Sequence, residues 1–238
     1  NLILGHYHPL KRTIEDLEDL FIKMGFLVYD GPEIETVENN FDLLNTPANH
    51  PSRDMTDTFY FDDKKLLRTQ TSPCQIRAMK EIGAPLRLIC TGRVFRNDEV
   101  DATHSPMFHQ MEGLVIDKNV TIANLMHSLD YFVKAFFGKD MKTRYRPHYF
   151  PFTEPSLEVD TTCPNCKGKG CPSCNHTGWS MELLGCGMVH PNVLRNCGID
   201  PEIYSGFAFG IDRIAMVRYK ITDIRMMFEN NTKFLEQF

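Results

Sequence analysis

Apolar residues at Ile14, Leu17, Leu20, Phe21 and Met24 recur at three- and four-residue steps, which predicts an amphipathic helix over residues 9–24 that stops at Gly25. FLVYDGPEIE follows as a predicted strand, punctuated by the Gly31-Pro32 step. Short strands are predicted at 58–61 and 65–70, separated by the turn Asp62-Asp63-Lys64. Helical spacing returns at 73–82 and 121–137, and an apolar strand runs over 87–95. Further strands are expected at 142–149, 155–160, 181–189 and 204–211, with a last helix beginning near Asp212. Consecutive strands are joined by short turns more often than by helical crossovers. That pattern predicts an α+β fold, an antiparallel sheet with helices packed on it. No long linker or low-complexity stretch divides the chain, so residues 1–238 are expected to form one domain with a Cys-rich excursion at 161–178.

Composition narrows the class only a little. The chain has 238 residues, 42% hydrophobic and 24% charged, as an ordinary globular domain does. Its net charge of −5 gives no nucleic-acid footprint over the whole chain, so any RNA contact is expected to be local or to lie on another chain. No apolar run approaches the roughly 20 residues of a membrane span, and the opening NLILGHYHPL does not look like a signal peptide. The missing initiator Met suggests an excised fragment. Eight cysteines, four of them clustered, fit reduced thiols in a cytoplasmic protein better than a secreted disulfide scaffold.

Candidate chemistry concentrates in GRVFRNDEVDATHSPMFHQMEG, residues 92–113. A strand delivers Arg96 next to Asp98 and Glu99, a loop carries Asp101 and His104, and a second strand returns with His109, Gln110 and Glu112. Strand alternation puts Gln110 and Glu112 on one face and His109 on the other. Arg offers a planar fork to phosphate oxygens, and a Glu beside a Gln can hold an amine. The segment therefore suits a ligand bearing both phosphate and ammonium groups. A second cluster, CPNCKGKGCPSC, sets Cys163, Cys166, Cys171 and Cys174 at the spacing C-x2-C-x4-C-x2-C. Four close thiols point to a structural Zn²⁺. The four-residue gap is short for a zinc ribbon and leaves a bare Cys-rich hairpin open. Cys74, Cys90, Cys186 and Cys197 lie in apolar or helical settings and are expected to be buried.

The strand-loop-strand at 92–113 resembles motif 2 of the class II aminoacyl-tRNA synthetases, and FHQMEG resembles the phenylalanyl-tRNA synthetase α subunits in particular. Residues 9–36 resemble motif 1, HPSRDMTDTFYF and LLRTQTSPCQIRAM resemble the next two blocks, and YSGFAFGIDRIAMVRY resembles motif 3. The resemblance covers essentially the whole chain. It implies the class II antiparallel sheet flanked by helices, a cytoplasmic enzyme and ATP-dependent activation of phenylalanine with Mg²⁺. Transfer to tRNA(Phe) then follows, in an α2β2 heterotetramer with a β subunit. It also implies an N-terminal helical arm that contacts tRNA, which this sequence is expected to lack.

Residue by residue, the resemblance implies that Arg96 and Arg213 are catalytic and that Arg96, Asp98, His104, Phe108 and Arg213 bind ATP. It places Gln70, Ser72, Gln75, Gln110, Glu112, Phe150, Phe152, Ala208 and Gly210 around phenylalanine, and makes Glu154 a magnesium ligand shared with the β subunit. Four positions have simpler readings. Ser72 precedes Pro73 and a helix and can be an N-cap. Phe150 and Phe152 can be ordinary core, although Pro151 and Pro155 argue against a central strand there. His190, before Pro191, can cap a helix or line the cleft. One departure stands out. The family reads GFAFG-x-G-x-ER, whereas this chain passes directly from Gly210 to Ile211-Asp212-Arg213. The two missing residues keep the strand alternation but set Arg213 about 6–7 Å back along the strand. A catalytically silent synthetase-like binding protein stays open on that account. A zinc-dependent RNA-binding module stays open on the Cys cluster alone.

Overall fold

The fold comes from a computed structural model that describes residues 5–238, the side chains of Ser173, Met181 and Glu182 excepted. Helix α1 spans Pro9–Lys23. Pro9 sits at its first position, the His8 ring accepts from the Leu10 N–H, and Thr13, Leu17 and Phe21 form the buried stripe, four residues apart. Strands β1 (Leu27–Val28), β2 (Ile34–Thr36) and β3 (Lys65–Leu67) are short. Helix α2 (Pro73–Ile82) leads into the long pair β4 (Leu86–Phe95) and β5 (Met107–Asp117). Helix α3 (Ile122–Phe137) precedes the meander β6 (Thr143–Phe150), β7 (Thr153–Thr162) and β8 (Trp179–Val189). Helix α4 (Pro191–Asn196), strand β9 (Ser205–Ile211) and helices α5 (Ile214–Tyr219) and α6 (Thr232–Leu235) complete the chain.

Seven strands form the main sheet in the order β1-β4-β5-β9-β8-β7-β6, while β2 and β3 pair apart from it. All neighbours run antiparallel except β1, which pairs parallel to β4 at the sheet edge. The single strand expected over 26–35 is therefore two, in different sheets. The break falls at Gly31-Pro32, where proline has no N–H for a ladder and fixes its own backbone angle. The strand expected at 58–61 reduces to one bridge, Tyr60 to Leu66. Local bonds win there: the Thr58 N–H donates to the Asp54 carbonyl and its hydroxyl to the Ser52 carbonyl. Pro155 does lie in β7, an interior strand, at a point where the ladder to β8 slips between Thr153 and Ser156. The irregularity accommodates a residue that cannot donate. The helix expected from Asp212 is α5, which begins at Ile214 and ends at Tyr219 with Lys220 left-handed at its C-cap, and it is not the last: the chain continues through a short 3₁₀ turn at Ile224–Met227 to α6.

Alternation along the central strands separates two cores. Ile89, Phe207, Phe209 and Ile211 pack with α1 and α3 on one face, where Phe21 stacks on both Phe132 and Phe209 at 5.3 Å. Leu88, Leu114 and Ala208 pack with Ile76 and Met79 of α2 and Val193 and Leu194 of α4 on the other. Each large apolar side chain fully buried contributes about 1.5–3 kcal/mol. The second face is only half covered. Where α2 and α4 stop, the sheet is left open as the floor of a cavity.

Candidate active site

The cavity has a volume of about 660 Å³, within the size range of small-molecule sites. Its floor is the β5–β9 ladder, in which Glu112 is opposite Gly210 and Leu114 opposite Ala208. A Cβ on Gly210 would meet nothing within 4 Å, so the floor is open at that rung.

At one end the polar groups converge on Glu112. Its Oε1 accepts from the Ser72 hydroxyl at 2.9 Å and from the Gln75 amide, while Oε2 is buried with no protein partner. Burial pushes this carboxyl up to about 7, and the nearby Asp212 charge adds to the rise against the hydrogen bonds of Gln75 and Ser72. Ser72 occupies the N-cap position of α2, yet its hydroxyl makes no capping bond. It serves Glu112 instead. Gln75 stands behind Glu112, outside the cavity lining. Gln110 is oriented from both sides: Thr71 N–H donates to its Oε1 at 2.9 Å, and its Nε2 donates to Asp212 at 3.1 Å. Gln70 lines the same wall and donates to the Asn40 carbonyl at 3.4 Å. His109, on the other face of the strand, still borders the cavity beside Phe228, on which it stacks, and burial and the Arg93 charge hold it down to about 4.

The other end is cationic. Arg96 lies over the Phe108 ring at 5.1 Å and donates through Nε to the Thr69 carbonyl at 3.2 Å. Neither Asp98 nor Glu99 forms an ion pair with it. Asp98, Phe108, His104 and Arg213 line the cavity with it, and Arg213 opens α5 with no ion pair among the described residues. His104 is anchored to Asp101 at 2.9 Å. Ile224, Met227 and Phe228 of the C-terminal segment close this end.

A third, aromatic wall comes from the β6–β7 turn. Phe150 and Phe152 stack at 5.7 Å, 17° from parallel, and Ala208 lines the cavity with them. Phe150 lies directly on Gly185, where an added Cβ would come within 2.7 Å of its ring. Only glycine fits under it. Glu154, between Thr153 and Pro155, is exposed and outside the cavity lining, and it belongs to no group of three or more potential metal ligands among the described residues. His190 is a cap: its ring accepts from the Asn192 N–H at 3.1 Å.

Away from the cavity, the hairpin between β7 and β8 gathers the four clustered cysteines. Their sulfurs all lie within 4.8 Å of one another, with 3.7–3.9 Å across the contacts 171–174, 166–174 and 163–171. Backbone N–H groups of Gly170, Cys171 and Gly178 donate to the Cys166 and Cys174 sulfurs. Burial raises the Cys174 thiol, but the N–H groups of Cys171 and Gly178 outweigh it and bring the group down to about 6. Cys74, Cys90, Cys186 and Cys197 are all buried, as expected.

The structure thus brings together Gln70, Ser72, Arg96, Asp98, His104, Phe108, Gln110, Glu112, Phe150, Phe152, Ala208, Gly210 and Arg213 around one cavity. It leaves Gln75 behind the wall and Glu154 outside. Asp212, Thr46, His50 and Glu158 also line it without having been singled out. For Asp212 the signal was present, since it lies two residues beyond Gly210 and four beyond Ala208.

The family profile "tRNA synthetases class II core domain (F)" matches residues 1–238. The phenylalanine–tRNA ligase α subunit of Alkaliphilus oremlandii is 61% identical over 99% of this chain and 70% of its own length. That of Clostridium botulinum is 56% identical over 99% and 70%. The pyrrolysyl-tRNA synthetase of Desulfitobacterium hafniense, at 17% identity, superposes with a TM-score of 0.72 over 96% of this chain and 76% of the other, a likeness of fold. This chain belongs to the family of bacterial phenylalanine–tRNA ligase α subunits, within the class II tRNA synthetases.

Proposed function

We infer that the chain is the catalytic core of a phenylalanine–tRNA ligase, acting with a β subunit and, in our reading, within an α2β2 heterotetramer in the cytoplasm. No helix among the described residues is long and apolar enough to cross a membrane. Residues 1–238 act as one catalytic domain, with 161–178 as a hairpin insertion. The observation that carries the reading is a single cavity with a buried carboxylate at one end, two arginines at the other and a stacked Phe pair on the wall between.

Phenylalanine binds with its ammonium at Glu112 and Gln110, and its ring against Phe150 and Phe152 over Ala208. Aromatic contacts of this kind contribute about 0.5–1.5 kcal/mol per pair beyond burial. Gln75 acts through Glu112, which it holds in place. ATP binds along Arg96, Asp98, His104, Phe108 and Arg213. The phenylalanine carboxylate attacks the α-phosphorus, an acyl-phosphate bond forms, and the bond to the β-phosphate breaks to release pyrophosphate. The terminal ribose hydroxyl of tRNA(Phe) then attacks the acyl carbon and AMP leaves. No side-chain nucleophile takes part. Arg96 and Arg213 stabilise the charge that builds on phosphate, and the cavity holds the reactants in line. Magnesium, when bound, neutralises phosphate charge. Glu154 offers one exposed carboxylate for an ion shared with the partner subunit. The four-cysteine cluster fits zinc, since a tetrahedron with Zn–S of about 2.3 Å has edges of about 3.8 Å, and its role is structural.

The experiment is phenylalanine-dependent ATP–pyrophosphate exchange by this chain with its β subunit. Exchange is expected, and Arg96→Ala is expected to lower kcat by roughly 10²-fold or more. A change confined to the phenylalanine KM would overturn the role given to Arg96. Absence of exchange in the assembled parent would overturn the reading itself.

A further inference from the structure

Strand β9 is aligned so that Ala208 and Gly210 face the cavity and Phe209 and Ile211 face the opposite core. The ladder to β5 ends at Met111 opposite Ile211, and the next step along each strand sets Asp212 beside Gln110. The side chains meet: Gln110 Nε2 donates to Asp212 Oδ1 at 3.1 Å. Asp212 continues the floor of the cavity as its third inward residue, after Ala208 and Gly210. A carboxylate occupies that rung where the chain leaves β9 and turns into α5.

We propose that Asp212 is a recognition residue for the ammonium group of the amino-acid substrate, a second carboxylate beside Glu112. The proposal rests on the assignment of the Glu112 end to that ammonium. The buried Glu112 Oε2 has no protein partner, the exposed Asp212 is held by Gln110, and no lysine, arginine or histidine forms an ion pair with either residue among the described residues. Two carboxylates therefore line one end of the cavity with no cation beside them, and the Glu112 carboxyl, raised chiefly by burial, is raised further by the Asp212 charge. A primary ammonium brings three donors and one positive charge. Its charge balances the two carboxylates, while the Gln110 amide holds Asp212 in place.

The test uses the α chain assembled with its β subunit. Asp212→Asn keeps the shape and removes the charge of an exposed residue, and its thermal midpoint is checked against the parent. The phenylalanine KM in pyrophosphate exchange is expected to rise about tenfold or more, since hydrogen bonds to charged groups carry that weight. The inhibition constant of 3-phenylpropionate, which has the ring and carboxylate but no ammonium, is expected to stay within about twofold on the same reasoning. Equal weakening of both, no change in either, or a shift in the ATP KM alone would each overturn the proposal. Glu112→Gln is measured alongside. If it raises the phenylalanine KM selectively and Asp212→Asn does not, the ammonium site stands and Asp212 has no part in it. If neither variant discriminates the two compounds, the assignment of that end falls as well.

Discussion

Burial sets the protonation of Glu112 more than any partner does, and the direction of its shift has two measurable consequences. A carboxyl raised from 4.5 to about 7 favours the folded state most where it is neutral. That stabilisation is complete below pH 4.5 and is lost as pH rises to about 7, a change of roughly 3 kcal/mol over the window. Glu112→Gln is expected to flatten this stretch of the stability profile and to unfold at a higher temperature than the parent at pH 8. The functional sign is opposite, because holding an ammonium requires the ionised form. In the parent the phenylalanine KM is expected to fall as pH rises through about 7, and in the variant to lose that dependence. Steady-state exchange between pH 6 and 8.5 checks both. A KM that rises with pH would contradict the role of Glu112. The common face of Gln110 and Glu112 was legible from strand period alone. The destination of the Ser72 hydroxyl was not, since capping is the local choice and Glu112 lies 40 residues away.

At the scale of elements, the β7–β8 hairpin carries the clearest expectation. Spacing alone named the four cysteines that cluster there, because C-x2-C pairs flanked by glycines fold the chain back onto one point. The added information is geometric: the four sulfurs lie within 4.8 Å of one another, three of the contacts at 3.7–3.9 Å. Protein purified without chelator is expected to hold about one zinc per chain, with occupancy falling in acid as the thiolates protonate. Cys163→Ser and Cys174→Ser are each expected to remove the metal and to expose 163–178 to protease. Elemental analysis and limited proteolysis report the two outcomes, and a zinc content near zero in the parent would leave the cluster a bare hairpin. Long, regular elements such as α1, α3, β4 and β5 were readable because their periods repeat over ten residues or more. The stretch 51–61 was not, since its Asp, Ser and Thr side chains divert the backbone into turns that a strand-like composition conceals.

Across the whole molecule, the sheet works as a partition between a filled face and a half-empty one. Phe209 is the central piece of the filled face. It stacks on Phe21 and covers Gly113, where an added Cβ would come within 2.1 Å of its ring. Phe209→Ala is expected to destabilise the chain by about 3–5 kcal/mol, read as a lowered denaturant midpoint. A loss under 1 kcal/mol would mean that α1 and α3 are held to the sheet by other contacts. The parallel placement of β1 was hidden in the sequence, because a two-residue strand has no period and its partner, β4, lies some 60 residues on.

The division of the cavity wall between elements bears on how this site can evolve. The end we assign to the amine is made from the first turn of α2 and the middle of β5, with Ser72, Gln75 and Glu112 all buried in one bonded cluster that also joins helix to sheet. The end we assign to the ring is made from a turn, Phe150 to Phe152, and from a rung of small residues. Drift or redesign can therefore retune which side chain is accepted while the fold stays intact. The buried part of the end assigned to the α-amino group is tied to the helix–sheet junction and cannot change without disturbing it.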